Sequence, residues 1–530
     1  MNANAGAGAD TDDSNFLKMM QISERNYNKI RKNNKQQLSN HSKNHRQLEV
    51  TQKIQNLYDE VDAEFNNFKS NLSSPCFKHK MIRLEKSNPV LQSSLFKSIY
   101  VPTKIAEYIK ENARYLIEYS CDLGNGKTVK VKFILFDSCR YELNNIRKKG
   151  ATYFKHCVLK IYIWLKVLSK YSQVECGKNL ECFFYFTPFK RKLPSHSDSE
   201  SPSNMYHYSE LVEDDVYGAG GDGGSGVIGA SHVNGGLSNI CQADGHIIVY
   251  RKEEWFKVFI HETMHNYGLD FAVLDEILMS NKKLQSIFSV QTDIKIFESY
   301  CETWARVMNV FFESYFEVNR QSRSLFTPLS TRKKIINNIH KNHKQHFVSA
   351  SASASASASA SASASASSSA SSSVTVKNKT GFKDKNERFL TIFYDNMQHE
   401  AVFSIFQCVK ILNYMGLDYN IISTCTDANY IIVKKLYKEH TNVFAYYVIV
   451  AILIANFNNF ILWCVDNNTN LFNFKKEPAS VDDFIAFISK NYKNSDLLNM
   501  VVSMEKRLEN KTRDDDLLLA TMRMSVVGGK

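Results

Sequence analysis

The chain reads as an α+β protein, and three observations carry that expectation. Two β-rich runs are joined by a tight-turn dipeptide; a long amphipathic helical stretch leads into a third strand-like run; and in the last third of the sequence apolar residues recur at helical spacing. At 530 residues with 43% hydrophobic side chains the chain exceeds what one core usually organises, so several folded units are expected. The boundaries read as a polar, basic, partly helical or disordered arm over 1–90 and an α+β unit over 91–318. A disordered linker or insertion follows over 319–385, then a mainly helical part over 386–530 that completes the preceding unit or stands beside it.

Taken in order, the arm mixes Asn, Lys, Ser and Gln around one helical pattern, in which Val50, Ile54, Leu57, Tyr58, Val61, Phe65 and Phe68 lie three or four apart. The α+β unit opens with runs at Arg114 to Ser120 and Val129 to Phe136. Asn125-Gly126 between them suits the positive-φ positions of a hairpin turn. Gly126-Lys127-Thr128 resembles the end of a phosphate-binding loop, but the earlier glycine such a loop requires falls at Cys121, and the hairpin reading is preferred.

A helix is expected from about Tyr141 to Tyr171, striped by Phe154, Val158, Ile161, Leu165 and Leu168, followed by a strand at Leu180 to Thr187. Gly218 to Gly223 formally matches G-x-G-x-x-G without a strand before it or a helix after it, so no nucleotide cofactor is expected. His246 to Arg251 reads as a short strand, Lys252 to Tyr267 as a helix ended by Gly268, and Asp293 to Val318 as a second helix. Ser349 to Ser373 is almost pure Ser and Ala and offers no core-forming side chain. Beyond it, Phe389 to Met415 and Val443 to Val465 follow helical patterns.

Bulk properties exclude several classes. The formal charge of +12 resides largely in Asn- and Lys-rich tracts such as Arg31 to Lys35 and Arg332 to Lys344. No aromatic residues interleave there as a base-stacking platform requires, which argues against nucleic-acid binding. The uncharged run Val443 to Ala455 is short of the roughly twenty residues a spanning helix needs and reads as a buried core helix, so no membrane span is expected. Eleven cysteines, scattered and without C-x-x-C, argue against a disulfide framework or a zinc ribbon. Met1 to Phe16 lacks a secretory pattern, and a reducing, cytoplasmic setting follows from these readings.

His261-Glu262-Thr263-Met264-His265 is H-E-x-x-H. Residues four apart lie one turn up the same helical face, so two imidazoles can converge on one cation with Glu262 to the side. Zinc held by imidazoles brings bound water toward a pKa of about 7, and an adjacent carboxylate can take its proton as it attacks a carbonyl carbon. With 15 histidines in the chain the pattern arises by chance in roughly one such sequence in fifty, so context has to carry it. That context is the amphipathic helix around the motif and a downstream helix offering Glu298 and Glu302, again four apart. Asp270 and Asp275 remain open as third ligands, and Cys301 shares the Glu298 face.

These residues resemble the gluzincins among the zincin metallopeptidases, whose third ligand is the first acid of an E-x-x-x-[DE] helix motif. Phe297 to Arg306 is similar to that helix in the catalytic domain of anthrax lethal factor and its relatives. The Asn- and Lys-rich composition, with His232-Val233-Asn234-Gly235-Gly236 before the strand, resembles metallopeptidases of giant DNA viruses, which would place the protein in host cytoplasm or virion. The resemblance covers about 90–318. It implies a zincin-like fold, one catalytic Zn2+ on His261, His265 and Glu298, Glu262 as general base, Glu302 orienting a ligand histidine, and hydrolysis of a peptide or protein substrate paired with His246 to Arg251 as edge strand.

Two departures matter. Phe271 stands where the metzincin third histidine would be, and no tyrosine lies between Phe271 and Glu298 to serve as transition-state donor. Tyr446, Tyr447 and His440 are the candidates left for that role. The competing reading is a zincin-fold structural or interaction protein without turnover, using its basic arm for contacts.

Overall fold

The computed structural model describes residues 41–70, 79–91, 98, 100–136, 151–194, 227–274, 277–319, 383–510 and 515–527. The Ser/Ala repeat, the Gly218 to Gly223 loop, both basic tracts and Asp275 lie outside them.

Helix α1 (His41–Ser70) precedes strand β1 (His79–Arg83) and helix α2 (Thr103–Asn112). Strands β2 (Ala113–Gly124) and β3 (Lys127–Phe136) form the expected hairpin, with Asn125 at φ 53° and Gly126 at φ 71° in the turn. Lys127, the lysine of the phosphate-loop lookalike, donates to Ser172 Oγ and to the carbonyls of Gln173 and Cys176, so it serves the fold. Helix α3 (Ala151–Ser169), strand β4 (Asn179–Thr187), the single turn α4 (Ala230–Val233), strand β5 (Gly236–Ser238) and strand β6 (Asp244–Arg251) follow. The mixed six-stranded sheet has the order β1-β2-β3-β4-β6-β5. β3, β4 and β6 run parallel, and β5 pairs antiparallel with β6.

Side chains alternate across the sheet with the period of two that a strand imposes. Ile117, Val131, Phe133, Cys182, Phe184, Ile247 and Val249 face the main core, whereas Leu116, Ile134, Tyr185, Ile248 and Tyr250 face a smaller core closed by Ile105, Ala106 and Ile109 of α2.

The expectation that His246 to Arg251 is the edge strand is corrected: β6 is interior and the edge is β5. An apolar run buried on both faces, such as Ile247 to Tyr250, is the mark of an inner strand. β5, three residues that begin with Gly236 and follow Gly235, gives no periodic signal of its own.

The main core is filled by helices. α5 (Trp255–Asn266) lies against β6 and β5 and packs on α7 (Ile296–Val318), with α6 (Ile277–Gln285) between them in sequence. After the undescribed stretch come α8 (Lys383–Tyr414), α9 (Tyr419–Ser423), α10 (Asp427–Leu436), a π-helical turn Phe444–Ile449 running into α11 (Val450–Ala455), then α12 (Phe457–Asn467), α13 (Pro478–Asn491), α14 (Ser495–Glu509) and α15 (Asp516–Ala520). These helices share one continuous core with the sheet. α1 is also part of it: the expected stripe from Val50 to Phe68 is buried, with Tyr58 against Tyr315 and Phe389 and Phe68 against Tyr162. The helix is therefore not a free arm, and full burial of side chains of this kind contributes about 1.5–3 kcal/mol each.

Among the described residues no single helix is long and apolar enough to cross a membrane. The apolar pair Phe444–Ala455 and Phe457–Asn467 bends by 93° at Asn456, whose amide bonds the Ile452 carbonyl and whose carbonyl accepts from Asn494.

The cysteine reading is also corrected. Cys176 and Cys241 form a disulfide across 65 residues, and Cys121 is disulfide-bonded too. Sequence spacing gave no sign of this pairing, because the fold brings the turn before β4 beside the β5–β6 connection.

Candidate metal centre

Two helices build the site. α5 starts after Glu254, which holds a left-handed conformation at φ 54°. The Glu254 carboxylate pairs with buried Arg191 at 2.7 Å and accepts from the amides of Met524 and Ser525. Phe256, Val258, Phe259, Ile260 and Met264 anchor the helix in the core. On the same helix Thr263 accepts from Trp164 Nε1 at 2.8 Å, so the helix cannot turn about its axis without breaking a buried bond. Its face toward α7 presents His261 and His265, which are 6% and 7% exposed.

α7 brings Glu298 in its first turn and Glu302 one turn later. His261 Nε2 is 3.1 Å from Glu298 Oε2, His265 Nε2 is 3.2 Å from His261 Nε2, and His265 Nε2 is 3.5 Å from Glu298 Oε2. Three ligand atoms at tetrahedral positions around zinc, with bonds of about 2.0–2.1 Å, are separated by about 3.3–3.4 Å. The triangle therefore matches a zinc donor set in both chemistry and spacing.

Each imidazole turns its other nitrogen to a carboxylate. His265 Nδ1 bonds Asp270 Oδ2, and His261 Nδ1 is 3.2 Å from Glu302 Oε2, a close ion-pair contact that does not meet hydrogen-bond geometry. Asp270 reaches its partner because Gly268, at φ 61°, ends the helix and folds the chain back, with its amide bonded to the His265 carbonyl. The Asp270 carboxylate thus stands behind His265 and not in the triangle. Cys301 Sγ joins this rear group, 3.7 Å from His265 Nδ1 and 3.6 Å from Asp270 Oδ2. His265, Asp270 and Cys301 are a second set of potential donors, but they share the histidine and their close His–Asp contact is already used as a hydrogen bond.

Glu262 is 7% exposed and accepts from Ser238 Oγ at 3.0 Å. Ser238 lies on edge strand β5, which approaches α5 so closely that a Cβ on Gly236 would stand 2.6 Å from the Ile248 carbonyl oxygen, 2.7 Å from Val258 and 3.1 Å from Glu262 Oε1. Nothing but glycine fits there. Neither Ser238 nor Gly236 carries a site signal in the sequence, although the Asn234-Gly235-Gly236 run is of the kind that marks a close backbone approach.

Of the three donor candidates, only Tyr446 is at the site. Its hydroxyl donates to Glu298 Oε2 at 2.8 Å and its ring meets His261 edge-on at 5.8 Å. Tyr447 donates instead to the Met522 carbonyl at 2.6 Å, and His440 is exposed on the segment that bridges Ile228. Consecutive residues on a helix point to different places, as these tyrosines do, and both lie on a π-helical turn, a form that recurs at functional sites.

The electrostatics suit a cation. Burial works against ionising Glu298, yet His265 and His261 hold it well below the usual carboxylate range. Burial also opposes charge on Glu302, but Lys257, His261 and Arg306 bring it to about 2. Glu262 is shifted upward, mainly by burial, against the pull of His261 and His265. Burial opposes charge on both histidines, yet His261 is raised by Glu298 and Glu302, and His265 by Cys301, Asp270 and Glu298.

No protein-family model, curated protein or solved structure matches the chain.

Proposed function

We propose that the protein is a zinc-dependent peptidase of the zincin type. The observation that carries this reading is the triangle of His261 Nε2, His265 Nε2 and Glu298 Oε2, with a buried carboxylate, Glu262, beside it. A metal site with a purely structural task has no need of that fourth group, which favours turnover over a non-catalytic role. His261, His265 and Glu298 would hold the ion, which when bound supplies Lewis acidity, easing water ionisation and polarising a carbonyl.

The chain's own groups supply the remainder. Glu262 takes the proton of the attacking water and returns it to the leaving amine, with Ser238 fixing one of its oxygens. The Tyr446 hydroxyl is the O–H donor facing the centre and is suited to stabilise a carbonyl oxygen as it gains charge. Among the described residues β5 is the last strand of the sheet and packs on α5, and its outer edge would offer backbone groups to an extended peptide. A mixed sheet with an antiparallel edge strand over the H-E-x-x-H helix agrees with a zincin arrangement.

The test is Glu262→Gln in the full-length chain. Zinc should bind stoichiometrically while cleavage of a broad peptide library is lost; cleavage retained by the purified variant would end the mechanism.

A further inference from the structure

We propose that Lys257 is a positioning residue for the metal centre, fixing Glu302 and through it the ring of His261. Lys257 sits one turn before His261 on α5, so the two side chains leave the same face of the helix. Its ammonium donates to both oxygens of Glu302, at 2.7 and 2.9 Å, across the junction with α7, and each partner's side chain is 2% exposed. The oxygen held at 2.9 Å, Oε2, is the one 3.2 Å from His261 Nδ1. A continuous line thus runs from Lys257 through Glu302 to His261, whose far nitrogen faces Glu298 and His265.

Two features separate this pair from an ordinary structural ion pair. First, among the described residues the ammonium hydrogen-bonds, besides Glu302, to Met524 Sδ at 3.3 Å, a weak acceptor, and Glu254 acts on it through space without a hydrogen bond. A buried ion pair of this kind is poor evidence of stabilisation and is often replaceable by apolar groups. Second, the two histidines are oriented by different means. Asp270 comes from the turn that follows the helix of His265, so the two are close in sequence, whereas Glu302 comes from α7 and reaches His261 across a helix interface. The neighbouring cation, Arg306, is directed to Glu400 and Ser404. Removing the lysine therefore takes away the group that pins the Glu302 carboxylate in place. Residues behind metal-bound histidines set ligand orientation and commonly change metal affinity by about 10–100-fold.

The proposal rests on the reading of His261, His265 and Glu298 as a zinc site. Its test compares full-length wild type, Lys257→Met, Glu302→Gln and the double variant by competition for zinc against a chromophoric chelator, together with thermal unfolding of the zinc-free proteins. Each single variant should bind zinc about 10–100-fold more weakly. The double should be no weaker than Glu302→Gln alone, because the two residues act in series. Its zinc-free melting temperature should lie above that of Lys257→Met, since no buried charge is left unpaired. Wild-type zinc affinity in Lys257→Met, or losses that multiply in the double variant, would overturn the proposal while leaving the zinc site standing. A wild type that binds no zinc would instead refute the underlying reading. Should Lys257→Met fail to fold, the double variant set against Glu302→Gln decides: equal affinity supports the series, and a further tenfold loss rejects it.

Discussion

Tyr446 donates its phenolic hydrogen to Oε2 of Glu298, the same oxygen that faces both histidine rings. The two residues are 148 positions apart in the chain, so the site is completed only when the helices beyond the Ser/Ala repeat pack onto α7. Tyr446→Phe removes that donor and leaves the ring packing against His261 intact. Under the peptidase reading kcat should fall about 10²–10³-fold with KM and zinc content little changed. An unaltered kcat would remove Tyr446 from the reaction.

Asp270 fixes which nitrogen of His265 faces the centre. Asp270→Asn keeps the size of the side chain but weakens the hydrogen bond to Nδ1, and zinc affinity should drop about 10–100-fold. Chelator competition measures this directly. Undiminished affinity would mean that Asp270 plays no part in holding the imidazole.

How far this centre could be read beforehand follows from where each residue lies in the chain. His261 and His265, like Glu298 and Glu302, are four apart on single helices, and helical geometry alone puts each pair on one face. Asp270 was visible as an acid near the motif, but whether it would join the triangle or stand behind His265 depended on the chain reversal at Gly268. Tyr446 is one of three candidates because nothing local distinguishes it from Tyr447; only the packing that turns one toward Glu298 and the other toward Met522 does that. β5 and Ser238 are not legible in the sequence because three residues cannot show a period. Lys257 did leave a trace, a lone cation within Trp255 to Ile260 on the histidine face, though its partner could be known only from the packing of α5 on α7.

Glu439 ties the approach to α7 to the turn bearing Tyr446. Its carboxyl accepts from Thr292 Oγ1, from Tyr437 and from the Phe444 amide. Burial raises its pKa to about 7 against the pull of these donors. Because the folded value exceeds the unfolded one, of about 4.3 for Glu, the folded state holds the proton more tightly. This contribution to stability is complete below the unfolded value and is lost as pH rises through about 7. Relative to Glu439→Gln, wild-type melting temperature should decline between pH 5 and pH 8. Parallel melting curves for the two proteins across that range would contradict the assignment.

The Cys176–Cys241 bond secures the connection between β5 and β6 beneath the end of α5, where the Cys241 amide donates to the His265 carbonyl at 3.2 Å. A loop of 65 residues implies a loss of about 4 kcal/mol when it is opened, on chain-entropy grounds. Replacing both cysteines with serine should lower the denaturant midpoint accordingly. A midpoint equal to wild type would show that the bond adds nothing to the fold.

The position of the metal itself bears on the central claim more directly than any variant. Anomalous diffraction at the zinc edge, from crystals of the zinc-loaded full-length protein, should give one peak within bonding distance of His261 Nε2, His265 Nε2 and the Glu298 carboxylate. A peak at His265 Nδ1, Asp270 and Cys301, or no peak near either histidine, would contradict it.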